Sequence, residues 1–294
     1  MQERLIGDVR VTRIEEIMGP GFPAKDFFPE FDAETFKSHE HWLAPTYYQP
    51  ESGKLIASIH SWLVRTPHHT ILIDACSGNH KPRPAMPRFD MLDTPYLDRL
   101  QAAGVAPEQV DFVMCTHLHV DHVGWNTRLQ DGRWVPTFPN ARYVMSRTDH
   151  DHWAAEAKRP ETAAYQVNTY NDSVLPVVEA GKAEFVADGH QCDACLTVRP
   201  TPGHTPGHIR VDLASKDRRA VFSGDALHNP VQVPLWQWNS RFCEDPAQAR
   251  RTRGELLAHC AETRALLMPA HFAPPHAAYI KAKGDAFELD WDRG

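Results

Sequence analysis

Basic residues are fewer than acidic residues in this 294-residue chain. It has 31 Lys and Arg against 38 Asp and Glu, and its formal net charge is −7. This balance argues against nucleic acid as a main partner, because phosphate binding requires a basic surface. Cysteine is also scarce, and six cysteines are too few for a disulfide scaffold in a chain of this length. The chain is therefore expected to be a reduced protein that binds no nucleic acid.

Long apolar runs are missing as well. No stretch approaches the roughly 18 consecutive apolar residues of a membrane-spanning helix. Residues 1–10 alternate charged and apolar side chains and lack the apolar region of a secretory signal. We therefore expect a cytoplasmic protein without a membrane partner. Hydrophobic residues make up 42% of the chain and charged residues 23%, which is the mix of an ordinary globular protein and excludes a disordered chain.

Strand-like and helix-like patterns follow one another in two similar halves of the chain. The predicted strands are 5–16, 55–66, 69–75, 111–116, 182–187, 196–200, 208–214, 219–225 and 265–270, and the predicted helices are 88–104 and 246–263. The strands 55–66 and 69–75 are expected to form a hairpin. This mixture predicts an α/β fold with two packed sheets and helices outside. No linker divides the chain, so we predict one domain over residues 1–294.

Residues 17–54 break every periodicity and combine many aromatic residues with prolines. A loop this long is uncommon in a compact domain and usually serves as a lid, a binding loop or an arm onto a partner. We predict an aromatic, proline-rich lid or dimer-arm loop, which leaves a homodimer possible. The alternative is a surface connection whose aromatic side chains are tucked into the core.

A dense group of candidate metal ligands directly follows the predicted strand 111–116: His117, His119, Asp121 and His122. His117 and His119 point the same way if the strand's alternation continues into the loop. Imidazole nitrogens and carboxylate oxygens are ligands that zinc accepts. Four such residues exceed the three protein ligands that one catalytic zinc usually takes, so the surplus implies two metal ions.

Three later places supply further ligands. The run TPGHTPGH puts His204 and His208 each after a Pro-Gly turn, where the backbone can redirect a side chain. Asp225 and His271 each follow a predicted strand, a usual position for active-site groups in layered α/β folds. Spacing alone does not choose between His204 and His208.

With these motifs the sequence resembles the metallo-β-lactamase superfamily from about residue 55 to 276. The resemblance implies an αβ/βα four-layer sandwich of two mixed sheets with helices on the outer faces. It also implies two divalent metal ions, Zn²⁺ first and Mn²⁺, Fe²⁺ or Co²⁺ as alternatives. The implied ligands are His117, His119 and His204 for one ion, Asp121, His122 and His271 for the other, and Asp225 as a bridge between both.

The activity implied by this resemblance is that of a dinuclear metal-dependent hydrolase, in which a metal-bridging hydroxide attacks a small ester, lactone or organophosphate-like substrate. Asp121, Asp225 and His228 are the candidate catalytic residues, and Asp121 is expected to receive or pass on a proton.

The chain most resembles the branch with N-acyl homoserine lactonases and methyl parathion hydrolase. Lactonases there often have Tyr three residues after the bridging Asp. This chain has His228, as in the methyl parathion hydrolase pattern, and a protonated His228 would donate to an oxyanion. The alternative is a structural histidine that supports the metal ligands.

Two other functions stay open: a mononuclear iron enzyme like the persulfide dioxygenases, and a metal-stabilised binding protein without turnover.

Several aromatic residues are candidates for the wall of a small-molecule pocket. They are Phe27, Phe28, Trp42, Tyr47, Tyr48, Trp125, Trp236 and Trp238. Core packing or a dimer contact is an alternative for each of them. The Cys192–Cys195 spacing is interpreted as a hairpin, and the short histidine clusters at 39–41, 68–69 and 150–152 as solvated surface.

Overall fold

The computed structural model describes residues 3–292, and within them it has sixteen strands and seven α-helices. The strands are β1 Glu3–Ile6, β2 Val9–Pro23, β3 Tyr48–Gln49, β4 Lys54–Arg65, β5 Thr70–Ile73, β6 Phe112–Met114, β7 Thr127–Gln130, β8 Arg133–Pro136, β9 Arg142–Ser146, β10 Ala183–Val186, β11 Leu196–Pro200, β12 Ile209–Ser215, β13 Arg218–Phe222, β14 Leu266–Met268, β15 Ala278–Lys283 and β16 Ala286–Trp291. The helices are α1 Ala24–Phe27, α2 Ala33–Leu43, α3 Tyr96–Ala102, α4 Arg147–Glu156, α5 Ala164–Thr169, α6 Leu175–Glu179 and α7 Pro246–Thr263. A π-helical turn, Tyr170–Val174, joins α5 to α6.

The strands form two large mixed sheets and one separate hairpin. The first sheet has the order β1-β2-β4-β5-β6-β9-β10, with β3 beside β4, and the second has the order β11-β12-β13-β14-β15-β16. Strands β4 and β5 pair antiparallel, which confirms the predicted hairpin. From β5 onward the first sheet is parallel, and in the second sheet β13 and β14 are parallel neighbours.

Alternation along the central strands divides the core into layers. On β5, Ile71 and Ile73 pack into the core between the two sheets, whereas Leu72 faces the core under the helices of the first half. This follows from the two-residue repeat of a strand, which sends successive side chains to opposite faces. Leu256 and Leu257 of α7 pack on the outer face of the second sheet. The layers are therefore helix, sheet, sheet and helix, and the predicted α/β sandwich is confirmed.

The prediction of a loop over residues 17–54 is wrong. Residues up to Pro23 continue β2, which pairs along β4, and α2 begins at an Asp32 cap that accepts a hydrogen bond from the Thr35 N–H at 2.8 Å. Phe28 and Phe36 are buried against Trp238. Their partner is some 200 positions away, so local periodicity could not show this packing. A lid or dimer-arm role for the segment stays a prediction.

The structure shortens one predicted helix and adds strands after the last predicted one. The helix predicted over 88–104 begins only at Tyr96, because residues 88–91 form turns and Pro95 occupies the N-cap. After the last predicted strand, the chain adds β15 and β16 to the second sheet. Each helix within residues 3–292 is too short or too polar to cross a membrane.

Candidate metal centre

Loops from both sheets meet at one edge of the sandwich. Asp74 follows β5 and the loop with His117 follows β6, both in the first sheet. Asp225 follows β13 and His271 follows β14 in the second sheet. Because neighbouring parallel strands end at the same edge, residues far apart in the sequence come close together there.

Asp225 lies at the centre of the resulting cluster, and its two carboxylate oxygens face different histidines. Its Oδ2 is 3.4 Å from His204 Nε2 and 3.7 Å from His117 Nε2. Its Oδ1 is 2.9 Å from His271 Nε2 and 3.3 Å from His122 Nε2. One buried carboxylate thus separates two groups of imidazole nitrogens.

The remaining predicted ligands complete these two groups. His119 Nδ1 lies 2.9 Å from His204 Nε2. Asp121 places Oδ1 3.7 Å from His122 Nε2 and Oδ2 3.7 Å from His271 Nε2. Within the group of His117, His119 and His204, and within that of Asp121, His122 and His271, the ligand atoms all lie within 4.8 Å of one another. The structure therefore brings together all seven residues that the sequence put forward as ligands.

The donor atoms of the cluster suit a divalent metal ion. Within residues 3–292, four of its buried polar atoms make no hydrogen bond of acceptable geometry, although Asp225 Oδ1 lies close to two imidazole nitrogens: His117 Nε2, His122 Nε2, Asp225 Oδ1 and His228 Nδ1. A buried polar atom without a partner costs free energy, and a metal ion is one way to satisfy several of them together. Imidazole and carboxylate are also the donors expected for zinc and related ions.

Burial keeps most of these imidazoles neutral. It lowers the pKa of His117 and His204 and lowers that of His119 to about 4. Neutral imidazole is the form that binds a metal. At His122 and His271 burial acts in the same direction, but nearby carboxylates, with Asp225 the strongest, outweigh it and raise the pKa.

His208 lies beside the cluster but has both ring nitrogens engaged by the protein. Its Nε2 accepts a hydrogen bond from the Asp225 N–H at 3.0 Å, and its Nδ1 lies 2.8 Å from Thr201 Oγ1. The neighbouring Gly224 has a φ of +48°, and a Cβ there would lie 2.7 Å from His208 Nε2. Glycine is needed at this position to allow the close approach.

Two buried aspartates that the sequence analysis missed hold the loops in place. Asp74 accepts a hydrogen bond from His122 Nδ1 at 2.9 Å and another from the Thr116 N–H at 2.7 Å. Asp149, on α4, accepts from the N–H groups of Leu118 and Gly207 and so joins the two histidine loops. Asp74 carried the same signal as Asp225, an acidic residue just after a buried strand, whereas Asp149 carried none.

His228 lies on the edge of the cluster. Its Nε2 is 3.0 Å from Asp225 Oδ2, and its ring lies 5.2 Å from the ring of Phe27. Burial lowers the pKa of His228, which favours the neutral imidazole over the protonated form considered from the sequence. In this position it contacts the central carboxylate directly.

A cavity of about 380 Å³ opens onto the cluster. His119, Asp121, His204, Asp225, His228 and His271 line its floor. Its walls are largely apolar and include Phe22, Phe27, Leu55, Ile56, Ile59, Met86, Phe89 and Phe242. Its polar wall residues include Arg88, Gln166, Asn229, Arg241 and Glu244. A concave, mostly apolar wall with a few polar groups is typical of small-molecule sites.

Of the eight aromatic residues proposed from the sequence for this wall, Phe27 lines the cavity. The other seven lie elsewhere: for example, Phe28 and Trp238 pack together in the core beneath it, and Trp125 stacks on Tyr96. These seven pack in hydrophobic clusters, which is the alternative of core packing that the sequence analysis left open for each of them. Cys192 and Cys195 flank a short turn, closed by a bridge between Asp193 and Leu196, and both are free thiols.

Fold and site together define a layered α/β protein with a histidine- and aspartate-rich candidate metal centre at the edge of its two sheets. The sequence pattern of the Metallo-beta-lactamase superfamily matches residues 57–289, and the chain belongs to this superfamily.

Among curated relatives, the N-acyl homoserine lactonase AttM of Agrobacterium fabrum is 29% identical over 115 residues, which are 38% of this chain and 39% of the relative. The match therefore spans about two fifths of that lactonase. Metallo-beta-lactamase domain-containing protein 1 of Xenopus laevis is 28% identical over 179 residues, 60% of each chain.

Two solved structures cover nearly the whole chain. The hydrolase AbOPH of the beta-lactamase superfamily superimposes with a TM-score of 0.81 at 26% identity, over 99% of this chain and 97% of the other. AidC, a dizinc quorum-quenching lactonase in complex with its product, superimposes with a TM-score of 0.77 at 20% identity, over 100% and 97% of the two chains. The second likeness concerns the fold alone.

Proposed function

We propose that this protein is a dinuclear metal-dependent hydrolase that acts on a small ester, lactone or organophosphate-like substrate. The observation that carries the proposal is the position of Asp225, whose two oxygens face two separate groups of histidine nitrogens. A carboxylate in this position is suited to bridge two cations. The likeness to a hydrolase over nearly the full chain supports the same class of activity.

The chain's own residues divide into two ligand groups. His117, His119 and His204 would hold one ion, Asp121, His122 and His271 the other, and Asp225 both. Bound divalent ions would supply an acidified water at neutral pH and polarise the oxygen of the scissile carbonyl or phosphoryl group. Hydrogen bonds at the Nδ1 atoms, on the side of the ring away from the ligand nitrogens, hold two of the imidazoles in place. Asp74 accepts from His122 Nδ1, and the Ser58 carbonyl accepts from His271 Nδ1 at 3.0 Å.

Asp121 and His228 are the remaining polar groups on the cavity floor with a proposed role. Asp121 is partly exposed to the cavity and can take up a proton at a carboxylate oxygen during the reaction. His228 contacts Asp225 through Nε2 and keeps Nδ1 without a partner among residues 3–292. We assign it to positioning of Asp225 and to contact with the substrate.

The test is a metal analysis of the purified protein followed by a substrate panel. We expect about two zinc-like ions per chain and hydrolysis of esters, lactones or phosphotriesters that a chelator abolishes and added metal restores. One iron per chain with oxygen uptake on a persulfide substrate would instead establish the dioxygenase. Two bound ions without turnover of any ester, lactone or phosphotriester would leave a metal-stabilised binding protein and overturn the proposal.

A further inference from the structure

Arg88 is a cation in the cavity wall that the mechanism above does not use. It lies between β5 and α3, on the segment that also carries the wall residues Met86 and Phe89. Its guanidinium is anchored on main-chain carbonyls: Nη1 donates to Gly19 O at 3.2 Å and Pro20 O at 2.6 Å, and Nη2 donates to Ala57 O at 2.8 Å. These contacts fix the position of the charged group.

The anchoring leaves part of the guanidinium unused. An arginine side chain has five N–H donors, and three are engaged. The Nε–H and one Nη2–H of Arg88 have no acceptor among residues 3–292. Nε and Nη2 are one of the two adjacent pairs with which arginine binds both oxygens of a carboxylate.

The surroundings of Arg88 favour an anionic ligand. Partial burial in a largely apolar wall lowers its pKa, although the attraction of Asp121 across the cavity acts in the opposite direction. A partly desolvated cation gains from an anion more than an exposed one does, because less water competes for it. Gly21 also lines the cavity, and a Cβ there would lie in van der Waals contact with Arg88 Nη1 at 3.6 Å, so this position carries no side chain that would cover the guanidinium.

We propose that Arg88 binds a second, unreactive carboxylate of the substrate, so that the enzyme acts on anionic esters or lactones in preference to neutral ones. This proposal rests on the proposed function. The reacting ester group lies over the metal ligands, and the free carboxylate extends along the apolar wall to Arg88.

A matched pair of substrates tests the proposal on the unmodified, metal-loaded protein: the mono-4-nitrophenyl ester of adipic acid and the same ester of adipamic acid. The two differ only in a terminal carboxylate or amide of equal size. We expect kcat/KM to favour the carboxylate by about 10-fold or more, and high salt to reduce this preference. Equal or faster hydrolysis of the amide would overturn the proposal.

Variants then assign the preference to a residue. R88Q is expected to lower the carboxylate-to-amide ratio by about 10- to 100-fold, mainly through KM, and R88K to restore part of it. R133Q removes an exposed arginine outside the cavity and should keep the ratio. If R241Q abolishes the preference for the carboxylate ester and R88Q keeps it, the carboxylate binds at Arg241, and the assignment to Arg88 is wrong.

Binding measurements separate this proposal from the proposed function. Calorimetry of adipate and adipamate with the metal-loaded protein needs no turnover. Tighter binding of adipate that R88Q abolishes would support the Arg88 site even if neither ester is hydrolysed, whereas equal binding would refute it. Because Arg88 also ties its segment to β2 and β4, thermal unfolding of each variant is measured in parallel. The comparison on the unmodified protein stands if R88Q does not fold.

Discussion

His204 and His208 occupy equivalent places in the repeated Thr-Pro-Gly-His sequence, yet their environments differ. His204 turns Nε2 toward His119 and Asp225. His208 uses both ring nitrogens within the protein, on Thr201 and on the main chain of Asp225. A histidine whose two nitrogens are occupied cannot bind a metal ion without breaking one of these hydrogen bonds. The choice between the two residues therefore depends on contacts from other loops.

Replacing these two histidines one at a time should separate a ligand from a supporting residue. We expect His204→Ala to lose one of the two proposed metal ions and nearly all of the proposed hydrolysis. His208→Ala should weaken metal binding by about 10- to 100-fold through the displaced Asp225 main chain. Metal titration of the chelator-treated variants measures both effects. If His208→Ala binds metal more weakly than His204→Ala does, His208 is the metal ligand and His204 the supporting residue.

Asp225 is the residue on which both ligand groups depend. In Asp225→Asn one charged oxygen becomes an amide nitrogen, so the side chain can no longer present an anionic oxygen to each group. We expect the metal content to fall from about two ions to one or fewer per chain, with activity reduced by at least about 1000-fold. Asp217→Asn, in the exposed turn between β12 and β13, is the matched control. Two ions retained in Asp225→Asn would contradict a bridging role.

Among the elements, the irregular segment 77–95 positions one wall of the cavity and is held by buried charges. Arg83 is fully buried and makes two contacts with Asp172, at 2.7 and 2.8 Å. Lys81, also fully buried, donates to Thr127 at 2.8 Å and lies 3.7 Å above the ring of Trp134. Asp172 belongs to the π-helical turn between α5 and α6, so this turn and the segment depend on each other.

Asp172→Asn should destabilise the protein by about 3–5 kcal/mol, because it leaves the buried Arg83 guanidinium without its carboxylate. Denaturant unfolding of the metal-free protein measures the change. Glu161→Gln, which removes an exposed partner of Arg159, serves as the control and should have a far smaller effect. A change in Asp172→Asn as small as that of the control would show that the buried cluster is not needed for stability.

The molecule as a whole keeps an unusual number of histidines buried, and this sets its response to acid. His276 lies outside the ligand groups, donates to Phe272 O at 2.6 Å and contacts the ring of His60. Burial, aided by Arg13, lowers the pKa of His276 to about 3. The unfolded chain binds a proton at this imidazole below about pH 6.5 and the folded chain does not. His276 therefore favours unfolding as the pH falls.

The free energy of unfolding of the metal-free protein should reflect this difference. Between about pH 7.5 and pH 5, His276 alone should cost about 2 kcal/mol of stability. His276→Gln should lose less stability over this range than the unmodified protein, even if it is less stable at the higher pH. The measurement is urea unfolding of both proteins at each pH. An equal loss in the two proteins would rule out His276 as a source of acid sensitivity.

Local patterns in the sequence were enough to predict the strands before His117, Asp225 and His271 and the metal-ligand candidates that follow them, because alternation and the residue types after a strand are local properties. They did not show that β2 runs on to Pro23. The sequence also indicated the family and hence the α/β sandwich. Three features could be seen only in the folded chain: Phe28 and Trp238 form core while Phe27 faces the cavity, Asp74 and Asp149 hold the histidine loops, and Arg88 has N–H donors without acceptors. Each of these depends on which distant side chains fill the space around a residue, and burial and hydrogen bonding are set by neighbours in space rather than in sequence.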